Sequence, residues 1–156
     1  MEGQQQQEVQ QSKARVVKVD SLESWDLSIT QANNQGSPAR FIYFFIFSEF
    51  LHFFLADLLG HLFSEIVVHF TASWCMPSVA MNPIFEELAS NYPDVLFLVV
   101  DVDELKEVAS RMDIKAMPTF LLMRNGAQVD KLVGANPEEI KKRIHSFVQS
   151  IRIEVA

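Results

Sequence analysis

Two nearly continuous apolar runs, Ile66–Thr71 (IVVHFT) and Val95–Val100 (VLFLVV), flank a stretch of helical character. Runs without polar alternation need apolar cover on both faces, the condition of interior strands in a parallel sheet. Strand, helix and parallel strand together form a crossover, which lays its helix over the sheet. The remaining segments fit the same frame. Ala14–Asp20 (ARVVKVD) predicts a short strand. Leu22, Trp25 and Ile29 form one apolar stripe of a helix that Ser21 caps and that runs to about Asn33. Ser78–Ser90 predicts a helix kinked at Pro83. Asp103 is the expected cap of a helix over Glu104–Met112. Thr119–Met123 and Gln128–Val133 flank Asn125-Gly126, a pair suited to the positive φ values of a type I′ hairpin. Asn136 and Pro137 open a last helix to about Gln149, with Ile140, Ile144, Phe147 and Val148 inward. The order β-α-β-α-β-α-β-β-α predicts an α/β domain: one central mixed sheet flanked by helices on both faces.

Composition narrows the function classes. A chain of 156 residues suits one domain. The net charge of −7 argues against nucleic acid as a partner. One cysteine excludes an intramolecular disulfide, a cysteine-based zinc cluster and a two-thiol redox cycle within the chain. Residues 1–13 are Gln-rich and nearly devoid of apolar side chains, so they predict a disordered tail. The start carries no basic-then-apolar leader pattern and no myristoylation pattern, which with the lone thiol points to the cytoplasm.

One block departs from this frame. Residues 39–65 hold 18 apolar residues in 27, and 8 of the 13 Phe fall between Phe41 and Phe63. Its removal would leave a short loop between the first helix and the second strand, so it reads as an insertion into a domain made of 14–38 and 66–152. Three readings stand. Phe44, Phe47, Leu51, Phe54, Leu58 and Leu62 repeat at helical spacing and predict a helix packed on the domain. A membrane contact is the weaker reading, because Glu49 and Asp57 each cost about 2.5–3.5 kcal/mol at a helix centre and the polar face lacks Lys and Arg. The third is a translated intron.

The lone cysteine lies in Trp74-Cys75-Met76-Pro77-Ser78, directly after a buried strand and at a helix start. Free helix N–H groups favour thiolate over thiol there, and thiolate is the nucleophile. Ser78 follows one turn later, where its hydroxyl is in reach of the sulfur. The alternative for Cys75 is a buried, inert thiol.

These residues resemble the thioredoxin active-site motif W-C-G-P-C, with Met for Gly and Ser for the second Cys. Pro83 matches the family's helix-kinking proline, Met117-Pro118-Thr119 its cis-proline loop, and Asn125-Gly126 and Gly134 its terminal hairpin. Phe70–Trp74 and Val100–Glu104 are similar to plant h-type thioredoxins, and the whole pattern resembles their single-cysteine, CxxS-type relatives. The resemblance implies a thioredoxin fold with Cys75 and Ser78 as catalytic residues. It implies that Trp74, Met76, Pro77, Met117 and Pro118 contact an extended target segment. A dithiol thioredoxin releases its target with the second Cys. Here Cys75 can form a mixed disulfide, and release falls to the target's own second thiol or to glutathione as an external thiol. Isomerase-type thiol–disulfide exchange on protein thiol or disulfide targets follows, with no metal and no bound cofactor. The alternative is a target-binding or chaperone-like domain with little turnover.

His69 and Val99 stand where the family usually keeps a buried Asp and a Lys that move protons for the second Cys. His69 reads either as a neutral core histidine or as a proton acceptor for Cys75; Val99 reads as core. The Asp101/Asp103/Glu104 group reads as strand alternation and a helix start rather than a metal site, His145 as a solvated helix residue, and Lys141-Lys142-Arg143 as a solvated face.

Overall fold

The computed structural model describes residues 16–33 and 65–154. The expected tail and the helical reading of the Phe-rich block lie outside them. The elements are β1 (Val16–Lys18), α1 (Leu22–Asn33), β2 (Glu65–Thr71), α2 (Met76–Val79), α3 (Asn82–Asn91), β3 (Leu96–Asp101), α4 (Lys106–Arg111), β4 (Thr119–Arg124), β5 (Ala127–Val133) and α5 (Pro137–Glu154). The five strands form one sheet in the order β1-β3-β2-β4-β5. β3 runs parallel to both β1 and β2, whereas β4 is antiparallel to β2 and β5. The expected mixed sheet is therefore present, and β2 is its central strand.

All seven residues of β2 are buried, and the strand's period of two divides the core. Ile66, Val68 and Phe70 join Trp25 of α1 and Val108 of α4 on one face. Val67 joins Phe97, Phe120, Phe85 and Leu88 of α3, and Ile140 and Ile144 of α5 on the other. Helices thus cover both faces, as the apolar runs require. His69 and Thr71 follow Val67 at the same period, so both point toward the face that α2 and α3 cover.

Local chemistry explains the element ends. Ser21 and Ser24 cap α1 reciprocally: each backbone N–H donates to the other's Oγ, at 3.2 Å from Ser21 and 3.1 Å from Ser24. The Asn136 side chain accepts from the Glu139 N–H at 3.1 Å at the start of α5. Asn125 and Gly126 both have positive φ, 50° and 76°, as the hairpin between β4 and β5 demands. An extra residue in β5, between the pairs Leu122–Asp130 and Met123–Gln128, makes a bulge at Val129.

Three expectations need correction. The helix expected over Ser78–Ser90 begins at Met76 and divides into α2 and α3 at Ala80–Met81. Pro83 has no N–H to offer Val79, so the ladder breaks one turn before the proline rather than bending at it. Asp103 does not cap α4, whose N-cap is Leu105; instead Asp101 Oδ1 accepts from the N–H groups of Asp103 at 2.8 Å and Glu104 at 3.4 Å. Glu65, assigned to the insertion on composition, is the first residue of β2 and pairs in register with Arg124.

Candidate functional site

Cys75 stands where β2 hands over to α2. The chain leaves the strand through Ala72–Trp74, and the Cys75 N–H closes this turn on the Ala72 carbonyl at 3.0 Å. Cys75 is the N-cap of α2, with φ −91° and ψ 93°. An N-cap side chain ordinarily meets the N–H groups of the second and third helical residues. Here the second is Pro77, which has none, and the thiol makes no bond to the first turn. Sγ–H donates instead to the Met117 carbonyl at 3.4 Å. The Met117–Pro118 peptide bond is cis. The Pro118 carbonyl accepts from the Gly134 N–H at 2.9 Å, so the end of β5 braces the loop that faces the thiol. Gly134 reaches this position with φ 111°, a conformation side-chain-bearing residues rarely adopt.

Cys75 is half-buried. Trp74 and Met76 beside it are 65% and 69% exposed, so the thiol lies in an apolar platform open to solvent. Trp74 is also anchored: its Nε1–H donates to Asp103 Oδ2 at 2.7 Å. Pro77 is exposed, whereas Met117 is half-buried and Pro118 buried. The bond from Cys75 to the Met117 carbonyl brings the Trp74–Met76 segment and the Met117–Pro118 loop together.

Ser78 is placed differently from expectation. It is completely buried, and its hydroxyl donates to Thr71 Oγ1 at 2.7 Å rather than to the Cys75 sulfur. His69 Nε2 lies 3.4 Å from the same oxygen. His69 Nδ1 has no hydrogen-bond partner among the described residues. The ring stacks on Phe120 at 4.6 Å and 19°, and tilts against Phe85 at 5.2 Å. Burial in this aromatic box pushes the His69 pKa down to about 4. At neutral pH the ring is uncharged and a poor base, which favours the core-histidine reading over the proton acceptor. Val99, its register partner on β3, is half-buried against the same core.

Two residues of the site were not foreseen. Thr71 had no local sequence signal beyond sharing a strand face with His69. Asp103 carried a cap-like signal, but its partner Trp74 lies 29 residues away. The acidic group around it does not converge on a common point: Asp101 binds its own turn, Asp103 holds Trp74, and Glu104 pairs with Lys18 at 2.8 Å. His145 is exposed, as expected, with the Tyr92 hydroxyl 3.1 Å from Nδ1. Arg143 is not merely solvated, since it clasps Asp130 at 2.9 and 3.1 Å.

A thioredoxin family model matches residues 57–146, more than half of the chain. The chain belongs to the thioredoxin family. It is 54% identical to the Thioredoxin-like protein CXXS1 of Arabidopsis thaliana over 140 residues, covering 90% of this chain and 96% of that one. It is 42% identical over 150 residues to the rice (Oryza sativa subsp. japonica) protein of the same name, covering 94% and 92%. The solved thioredoxin NaTrxh from Nicotiana alata superposes with a TM-score of 0.66 at 31% identity, covering 86% of this chain and 93% of that one. A poplar thioredoxin h, PtTrxh4, gives 0.63 at 34%, covering 85% and 96%. With one cysteine in Cys75-Met76-Pro77-Ser78, this thioredoxin groups with the single-cysteine, CxxS-type members. Thiol–disulfide exchange is the chemistry of this family, and it runs on sulfur without a cofactor.

Proposed function

We propose that this thioredoxin acts through Cys75 as a disulfide isomerase rather than as a dithiol reductase. The observation that carries the reading is the pair of neighbours at the motif's two ends. Cys75 meets solvent within an apolar platform, whereas position 78 holds a buried hydroxyl engaged by Thr71. Cys75 attacks a target disulfide, and the target's second sulfur leaves as thiolate. The mixed disulfide then resolves when a thiol of the target, or glutathione, attacks it. Trp74, Met76 and Pro77 on one side and the Met117–Pro118 loop on the other receive the target segment. The targets are protein thiols and disulfides, and the compartment is the cytoplasm. Among the described residues, no helix is long and apolar enough to cross a membrane. The five described strands come from 16–18 and 65–133, which supports treating the block between them as an insertion into a domain of two sequence segments.

Reactivation of a scrambled-disulfide protein tests this reading. The full chain, Cys75→Ser and a chain lacking 39–64 would be compared, with Glu65 retained because it belongs to β2. Activity that disappears in Cys75→Ser supports isomerisation. Activity only in the shortened chain supports a competent domain impaired by the block. Silence in both overturns the isomerase. The exposed Trp74–Met76 platform also suits a target-binding module. In that case Cys75→Ser retains client binding, which an exchange enzyme loses.

A further inference from the structure

We infer that Ser78, clamped by Thr71, is a specificity-determining block that decides which sulfur of the mixed disulfide is attacked. The inference rests on the reading that Cys75 forms such adducts. Thiolate attack on a disulfide runs in line with the bond that breaks, opposite the sulfur that leaves. A target held on Cys75 sits on the solvent side, against Trp74 and Met76. In-line attack on Cys75 Sγ must therefore come from within the protein. Around the Cys75 turn, Ser78 and Ala72 are fully shielded from solvent and Thr71 and Pro118 are buried. Ser78 is the third residue of α2, one helical turn from Cys75 at the N-cap. Its hydroxyl is tied at 2.7 Å to Thr71 and lies 3.4 Å from His69 Nε2, so it is held in place from two points on β2.

An external thiol has no path to this side, whereas the target's sulfur is approached from solvent. Release thus follows one course. The incoming thiolate bonds to the target sulfur, the bond to Cys75 breaks, and Cys75 leaves as thiolate and takes a proton from water. One disulfide replaces another, and no net oxidation or reduction occurs. With a thiol of the target as nucleophile the outcome is a rearranged disulfide. With glutathione it is a glutathionylated target, not a reduced one.

The test loads a single-cysteine peptide, activated as its thionitrobenzoate disulfide, onto Cys75 of the full chain. A near-stoichiometric amount of glutathione is added, the mixture is acid-quenched at early times, and intact masses are read. The expected products are peptide–glutathione disulfide and free-thiol chain, at least about tenfold over chain–glutathione and free peptide. Chain–glutathione in equal or greater share overturns the inference while leaving Cys75 as the nucleophile. If no adduct forms, the reading of Cys75 and the inference fail together. Ser78→Gly opens the protected side and raises the chain–glutathione share; the wild-type partition decides the question whether or not that variant folds.

Discussion

His69 makes the fold sensitive to acid, and the size of the effect follows from its surroundings. Ser78, Phe85 and Phe120 meet the ring, and none of them is charged. Burial alone lowers its pKa from 6.5 to about 4. The unfolded chain therefore binds a proton near pH 6.5 that the folded chain refuses until about pH 4. With the folded value depressed, this contribution to stability is complete above the unfolded pKa. It is lost progressively as pH falls from there toward the folded pKa. The loss is about 2 kcal/mol at pH 5 and about 3 kcal/mol at pH 4. Urea unfolding of wild type and His69→Gln at pH 7.5 and pH 5 measures it. The glutamine chain starts less stable, but its fall between the two pH values should be smaller by about 2 kcal/mol. Equal falls in both chains would refute the argument, because they would place the lost proton sites elsewhere.

Other outcomes follow from the same geometry. Thr71→Val removes the 2.7 Å partner of the buried Ser78 hydroxyl, so it should cost about 1–3 kcal/mol by denaturant unfolding; Thr71→Ser should recover most of that. Asp103→Ala frees the exposed Trp74 indole, changing its fluorescence while lowering stability by under about 1 kcal/mol. Phe85→Ala empties a site against His69, Phe97 and Phe120 and should cost about 3–5 kcal/mol in thermal or urea unfolding.

The parts of the fold legible in sequence are those fixed by local chemistry or strict periodicity. The unbroken runs around Val68 and Leu98 needed cover on both faces, and Asn125-Gly126 needed positive φ, so the sheet and its hairpin could be read directly. The thiol at a helix start was legible for the same reason. What escaped depended on partners outside the local turn or on the reach of a helix hydrogen bond. Ser78 looked like a neighbour of Cys75 because both lie in one turn, yet its hydroxyl bonds to Thr71, brought beneath it by the sheet. Asp103 looked like a cap because it precedes a helix, yet Asp101 takes that turn's N–H groups and leaves Asp103 to hold Trp74. The division between α2 and α3 escaped because a proline's missing N–H is felt one turn upstream of where it appears.

The strand order carries a consequence for how the chain could be divided. β1 pairs with β3 rather than with β2, its successor in sequence. The stretch from 34 to 64 therefore joins two pieces that meet elsewhere, through the β1–β3 edge and the packing of Trp25 against Phe70, whose ring centroids lie 6.0 Å apart. Among the described strands, no hairpin depends on that connection being short or intact. Two separately expressed fragments, one ending before and one beginning after that stretch, retain every strand pairing among the described residues and can associate by complementation, with the N-terminal piece supplying the edge strand β1.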